Sequence, residues 1–203
     1  MQGYGDGYRL SVGGITERAK RYAATKDRFE FINFGQSGFT PEQYLARWYG
    51  YAKQTSGSAL VYSIFSPNGY YDNGIIISSR IESMKVNCLL AEQYAKECGR
   101  VFIPCFITNT NMYQLNITPA GDATTNNTQF VKELLDWAIS FYGNRLINLQ
   151  PAVADTTNQI GINIDSKYTD DATHPNISGY DQLGTLFNQL FETAYNNSVG
   201  IYS

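Results

Sequence analysis

The sequence predicts an α/β fold in which a parallel sheet is covered by helices on both faces. Short apolar runs alternate with longer amphipathic ones, and no tandem hairpins interrupt the alternation. The composition is globular, with 43% hydrophobic residues. At 203 residues the chain can bury a substantial core as one domain. Neither a repeat nor a linker divides residues 1–203, so they read as a single domain.

The elements follow in order. "GGITERAKRYAAT" (13–25) predicts a helix with Ile15, Ala19, Tyr22 and Ala23 on one face. "FEFINF" (29–34) predicts a short strand that runs into "GQSGFT". The next helix opens with Thr40 as N-cap and Pro41 at its first position. "ALVYSIF" (59–65) predicts a buried strand leading into the loop "SPNGYYDNG". A long helix then runs to about Cys98, where Gly99 stops it, and "VFIPCFI" (101–107) is the next strand. Residues 108–128, rich in Asn and Thr, are too long for a plain connection and predict a functional loop. "QFVKELLDWAISFY" (129–142) predicts an amphipathic helix ended by Gly143, and "RLINLQ" (145–150) a strand. The last helix is expected over residues 178–195.

Charge and cysteine content exclude several functions. Charged residues are only 16%, against a usual ~25%, and the net charge of -3 gives no electrostatic footprint for nucleic acid. No run approaches the ~18 apolar residues of a membrane span, and the first residues do not form a signal peptide. Cys88, Cys98 and Cys105 lack metal spacing, and with one His in the chain no metal site is expected; buried free thiols are. Sixteen tyrosines suit surfaces that meet sugars or other partly apolar ligands.

In open parallel sheets ligands bind beyond the carboxyl ends of the strands. That rule selects "GQSG" (35–38), "SPNG" (66–69) and "DATHPN" (171–176), which should converge on one crevice. The last holds the chain's only histidine, His174, three residues after Asp171. At that spacing one turn of chain brings a carboxylate to the imidazole Nδ1, and Pro175 stiffens the exit. Gly38 can present its backbone N–H to an oxyanion, and Asn68 can add a side-chain N–H.

The order Gly-loop, Asn-loop, then Asp-x-x-His-Pro resembles the SGNH (GDSL-type) esterase and lipase family. "NFGQSG" (33–38) is similar to its second block, "SPNG" to its third and "DATHP" to its fifth. The resemblance runs from about Gly7 to the last helix. It implies a three-layer, flavodoxin-like sandwich, with Asp171 as triad acid, His174 as base, and Gly38 and Asn68 as oxyanion donors. It implies no metal or organic cofactor.

Two departures stand out. Gly69 occupies the place where many members carry Asp. More seriously, the Gly-Asp-Ser block that carries the nucleophile is missing. "GDGYRLS" (5–11) resembles the residues immediately after that block, which puts the serine slot at about Gly3; an alternative alignment lays Gly5-Asp6-Gly7 on the block. Either way glycine stands where serine is expected. Ser11 and Ser37 are the nearby hydroxyls. The first, central strand of the family also has no counterpart, so the chain reads as an N-terminally truncated or recut piece of a longer hydrolase. "SVGIYS" (198–203) is a candidate replacement strand.

The resulting expectation is an ester hydrolase using a Ser-His-Asp type mechanism, impaired in this chain for lack of the serine, with a small acyl ester or an acetylated polysaccharide as substrate. The Tyr-, Asn- and Thr-rich composition tilts it towards carbohydrate O-deacetylation, as in bacterial or phage surface-glycan esterases. The competing expectation is a catalytically inactive glycan-binding domain on the same scaffold, favoured by glycine at the nucleophile slot. A flavodoxin-like binding protein is disfavoured, because the first loop lacks a phosphate-cradling pattern.

Overall fold

Thr40-Pro41-Glu42-Gln43 opens a helix through its side-chain chemistry. The Gln43 N–H donates to Thr40 Oγ1 (3.4 Å), while the Thr40 N–H donates to Gln43 Oε1 (2.9 Å), closing a reciprocal capping box around the proline. This starts α1 (Pro41–Gln54) in the computed structural model. The structure describes residues 40–54, 59–65, 71–72, 75–76, 78–107, 122–157, 164–170 and 174–202. The helix expected over 13–25 and the strand expected over 29–34 lie outside the described residues.

Strand β1 (Ala59–Ser63) pairs in parallel with β4 (Val101–Phe106), from Ala59 opposite Val101 to Ser63 opposite Cys105. On its other side β4 pairs in parallel with β5 (Ile147–Asn148), with Cys105 opposite Ile147. The sheet order among the described residues is β1-β4-β5. The protein is a three-layer α/β sandwich of the flavodoxin-like kind, and the period of two in its strands sorts side chains to the two faces. Leu60, Tyr62, Phe102 and Phe106 pack with Trp48 of α1 and with two further helices, α2 (Ser78–Glu97) and α3 (Asp122–Tyr142). Val61, Ile103 and Cys105 face the opposite way, onto Leu183, Phe187 and Phe191 of α4 (Ile177–Tyr202).

Pro104 sits in the strand between two partners, where a missing N–H normally breaks a ladder. Here nothing is forfeited. Cys105 O accepts from Ile64 of the β1 side and Phe106 O from Leu149 of the β5 side, so Pro104 faces β5. At that height β5 has not begun, since its first residue lies opposite Cys105.

The helix ends follow local chemistry. Gly99 closes α2 with φ 66°, and Arg100 N–H to Ala95 O (2.9 Å) with Gly99 N–H to Lys96 O (2.9 Å) form a Schellman motif. Gly143 (φ 53°) turns α3 into a 3-10 turn, Gly143–Arg145. The Arg145 guanidinium reaches back to Glu92 of α2 in a mostly buried ion pair.

Four expectations need correction. The loop expected to reach residue 128 stops short, because α3 already begins at Asp122. The last helix starts at Ile177 and runs to Tyr202, beyond residue 195. Residues 198–202 are therefore helical and form no replacement strand. Ser198 is fully buried, so packing holds the helix on through a weak β-branched and glycine-containing tail. Lastly, the loop after β1 contains a small antiparallel pair, β2 (Tyr71–Asp72) with β3 (Ile75–Ile76), flanking Asn73-Gly74. Asn-Gly is a strong hairpin signal, so this pair was readable from sequence.

Burial pushes the thiols of Cys88 and Cys105 up to about 12. A raised value means less reactive thiolate at any lower pH. With folded protein at pH ~8, iodoacetamide should add at the half-buried Cys98 and spare the other two, as intact mass will show; unfolding should expose all three. Removing the Phe102 ring, fully buried between β4 and the helices, should cost about 3–5 kcal/mol in urea unfolding.

Candidate functional site

The carboxyl ends of β1 and β5 start the segments that run towards Asn68 and His174. After β1, Ile64 N–H bonds Cys105 O (2.8 Å) and Ser63 Oγ donates to the carbonyl of Phe65 (3.1 Å). Phe65 is fully buried and its ring lies 6.3 Å from that of Phe106. The chain is thus fixed three residues before Asn68. After β5, Leu149 N–H bonds Phe106 O (2.9 Å), and Asn148 Oδ1 accepts from Gln150 N–H (3.1 Å), starting the 3-10 turn Gln150–Ala152.

From that turn a short series of contacts leads to His174. Asp165 N–H bonds Val153 O (2.9 Å), and Ala154 bridges Ile164. The Asp165 side chain accepts from Lys167 N–H (3.0 Å), capping the 3-10 turn Ser166–Tyr168. The Lys167 ammonium beside it holds the Asp165 carboxyl below the usual carboxylate range. Thr169 then bridges Pro175, pinching off residues 170–174. His174 is half-buried at the end of this pinched loop, and Pro175 behind it is buried.

Asn176 fastens the pinch. Its N–H bonds Tyr168 O (2.8 Å), and its carboxamide donates to Lys167 O and to Asp170 Oδ1 (both 3.1 Å). Its Oδ1 accepts from Gly179 N–H (3.0 Å), making Asn176 the N-cap of α4. Gly179 is required by the close approach. A Cβ there would stand 2.6 Å from Tyr168 O and 3.0 Å from Pro175 Cβ.

Of the residues named from sequence, His174 is placed by the structure, on a loop connected to the carboxyl end of β5. Asp171, Gly38 and Asn68 lie outside the described residues, as do Gly3, Ser11 and Ser37. Sequence reasoning passed over Asn176 and Gly179. Their signal was the Asn–x–x–Gly spacing at a helix start, where an N-cap acceptor needs a donor three residues on. Among the described residues no group of three or more His, Cys, Asp or Glu could hold a metal, and no helix is long and apolar enough to cross a membrane.

Solved structures share this architecture. A GDSL-like lipase from Bacteroides thetaiotaomicron superposes with a TM-score of 0.58 at 19% identity, covering 89% of this chain and 84% of that one. A protein from Bacteroides fragilis described as a "putative acylhydrolase" superposes with a TM-score of 0.57 at 18% identity, with the same coverage. The chain has their fold. No family model matches the sequence, and no curated protein matches it.

Gly179→Ala offers a test of the close approach. Alanine gains about 1 kcal/mol in helix propensity, but the clash is with backbone, and overpacking of this kind costs about 1–3 kcal/mol. The substitution should lower the urea midpoint, against the propensity ranking; a raised midpoint would show that the loop yields freely.

Proposed function

We propose that the chain is an ester hydrolase domain of the SGNH type, impaired here by glycine at the nucleophile slot, with acetyl esters of carbohydrates as the favoured substrates. The observation that carries the reading is His174: the only imidazole in the sequence, on a pinched loop, in a fold shared with a GDSL-like lipase. In this reading a serine hydroxyl attacks the ester carbonyl and its proton passes to His174 Nε2. Asp171 accepts from Nδ1–H and steadies the imidazolium. The Gly38 N–H and the Asn68 amide donate to the oxyanion, a contribution of roughly 3–4 kcal/mol per donor in comparable sites. His174 then protonates the leaving alcohol, and water releases the acyl group by the reverse sequence of proton transfers. No cofactor enters these steps.

The carbohydrate preference rests on the sixteen tyrosines and on the polar segment that follows β4. Swapping or shortening residues 108–121 in an active parent should change the preference among acetyl esters, while an unchanged preference with an intact fold would remove the segment from substrate choice.

A second reading has its own observation. Glycine at the nucleophile slot, about Gly3, favours an inactive glycan-binding domain on the same scaffold. One assay separates the two. The 203-residue chain should hydrolyse p-nitrophenyl acetate barely above a His174→Ala control, because triad members act as a unit. Adding a strand followed by Gly-Asp-Ser should raise turnover by roughly 10³–10⁶, the loss seen on removing a triad serine. Robust His174-dependent turnover without that addition would assign another nucleophile, with Ser11 and Ser37 replaced first. A supplemented chain that stays inert while binding acetylated glycans would establish the binding module.

A further inference from the structure

We propose that Asn176 is the positioning residue of His174: its carboxamide fixes the pinched loop to the first turn of α4, so that the imidazole is held for Asp171. The inference rests on the hydrolase reading of these two residues. Nothing in the SGNH resemblance assigns a role to this position.

The geometry points to Asn176 because its side chain joins three separate pieces of backbone. Both amide hydrogens are used, one on Lys167 O in the 3-10 turn and one on Asp170 Oδ1 inside the pinched loop. The Oδ1 takes the Gly179 N–H of α4, which also fixes which amide atom is oxygen, since a backbone N–H must meet an acceptor. The residue is two positions from His174 with only buried Pro175 between, and the proline ring fixes φ there. Motion of the Asn176 backbone is therefore passed to His174 with little freedom to absorb it. Gly179 allows Tyr168 O to approach α4 closely enough for the Asn176 N–H to reach the same carbonyl (2.8 Å). A helix cap alone would need only Oδ1. The two amide donors do nothing for α4; one holds the 3-10 turn before the pinched loop and the other the loop itself.

That division makes the role separable from stability. Asn176→Ser and Asn176→Asp both keep a side-chain acceptor for the Gly179 N–H, because Ser and Asp cap helices about as well as Asn. Both lose the two amide donors, Ser keeping a single O–H on a shorter side chain, and Asp adds a carboxylate facing Asp170. Asp170→Ala removes one acceptor and leaves the cap and Asn176 in place.

His174 is the only histidine, so its ring nitrogens give one set of signals in protein labelled with 15N-histidine. The spectra are recorded at a pH raised until the ring signals stop changing, so that they report the tautomer of the neutral ring. Free side chains favour Nε2–H, and a ring held by a carboxylate at Nδ1 is Nδ1–H. We expect the full chain to show mainly Nδ1–H. Asn176→Ser and Asn176→Asp should revert to a mixture in which Nε2–H predominates, with far-UV circular dichroism unchanged, and Asp170→Ala should shift part of the way. Asp171→Ala provides the control on the underlying reading. If Asp171→Ala reverts the tautomer and folded Asn176→Ser and Asn176→Asp do not, the positioning role is overturned and the hydrolase reading stands. If the parent chain already shows the free mixture, or Asp171→Ala changes nothing, the pairing of Asp171 with His174 is wrong and the positioning role falls with it. Should neither Asn176 variant fold, Asp170→Ala decides: an unchanged tautomer overturns the proposal.

Discussion

Two consecutive carbonyls at the end of β4 tie the carboxyl ends of β1 and β5 together. Cys105 O accepts from Ile64 and Phe106 O from Leu149, so the chain leaving β1 and the chain leaving β5 are tied to adjacent peptide units. Both are backbone bonds in a buried strand, where an unmade bond is costly. The segment towards Asn68 and the segment towards His174 therefore start from one rigid strip. Their separation is set by strand spacing, not by side-chain choice.

The same strip divides the two segments between the two layers. Phe65 continues into the core shared by α1, α2 and α3. Leu149 and Val153 continue into the core shared with α4, from which His174 is presented. A site built from both would draw one loop from each layer and use β4 as their common support. This is the placement expected of parallel sheets, where helices occupy the faces and leave the carboxyl ends open.

Much of this was legible in the sequence, for identifiable reasons. Thr40-Pro41-x-Gln43 is a local signal read correctly because its chemistry is satisfied within four residues. β1 and β4 were legible because strands buried on both faces read as continuous apolar runs. The start of α3 was not. Residues 122–128 are rich in Asn and Thr, which favour turns when judged alone, and only continuation into the apolar helix behind them makes them helical. The tail of α4 failed in the same way, since its buried Ser198 is a tertiary fact. At the candidate site the sequence singles out His174 as a candidate because it is the only histidine. The clamp around it was not, because it joins residues 167, 170, 176 and 179 through one amide whose partners are set by folding.

The two segments differ in how they are held. Towards Asn68 the chain is fixed at Phe65 by core packing, where full burial of the ring contributes about 1.5–3 kcal/mol. Towards His174 it travels from Leu149 through several separate hydrogen-bonded joints, each with a net contribution of only about 1 kcal/mol. Joints in series loosen together when one is lost, because each restrains only the piece beyond it. On the proposed hydrolase reading, the orientation of the His174 ring depends most on the last joint beside it. In this chain that joint is the Tyr168–Asn176 contact, seated against Gly179 without room for a single added methyl group.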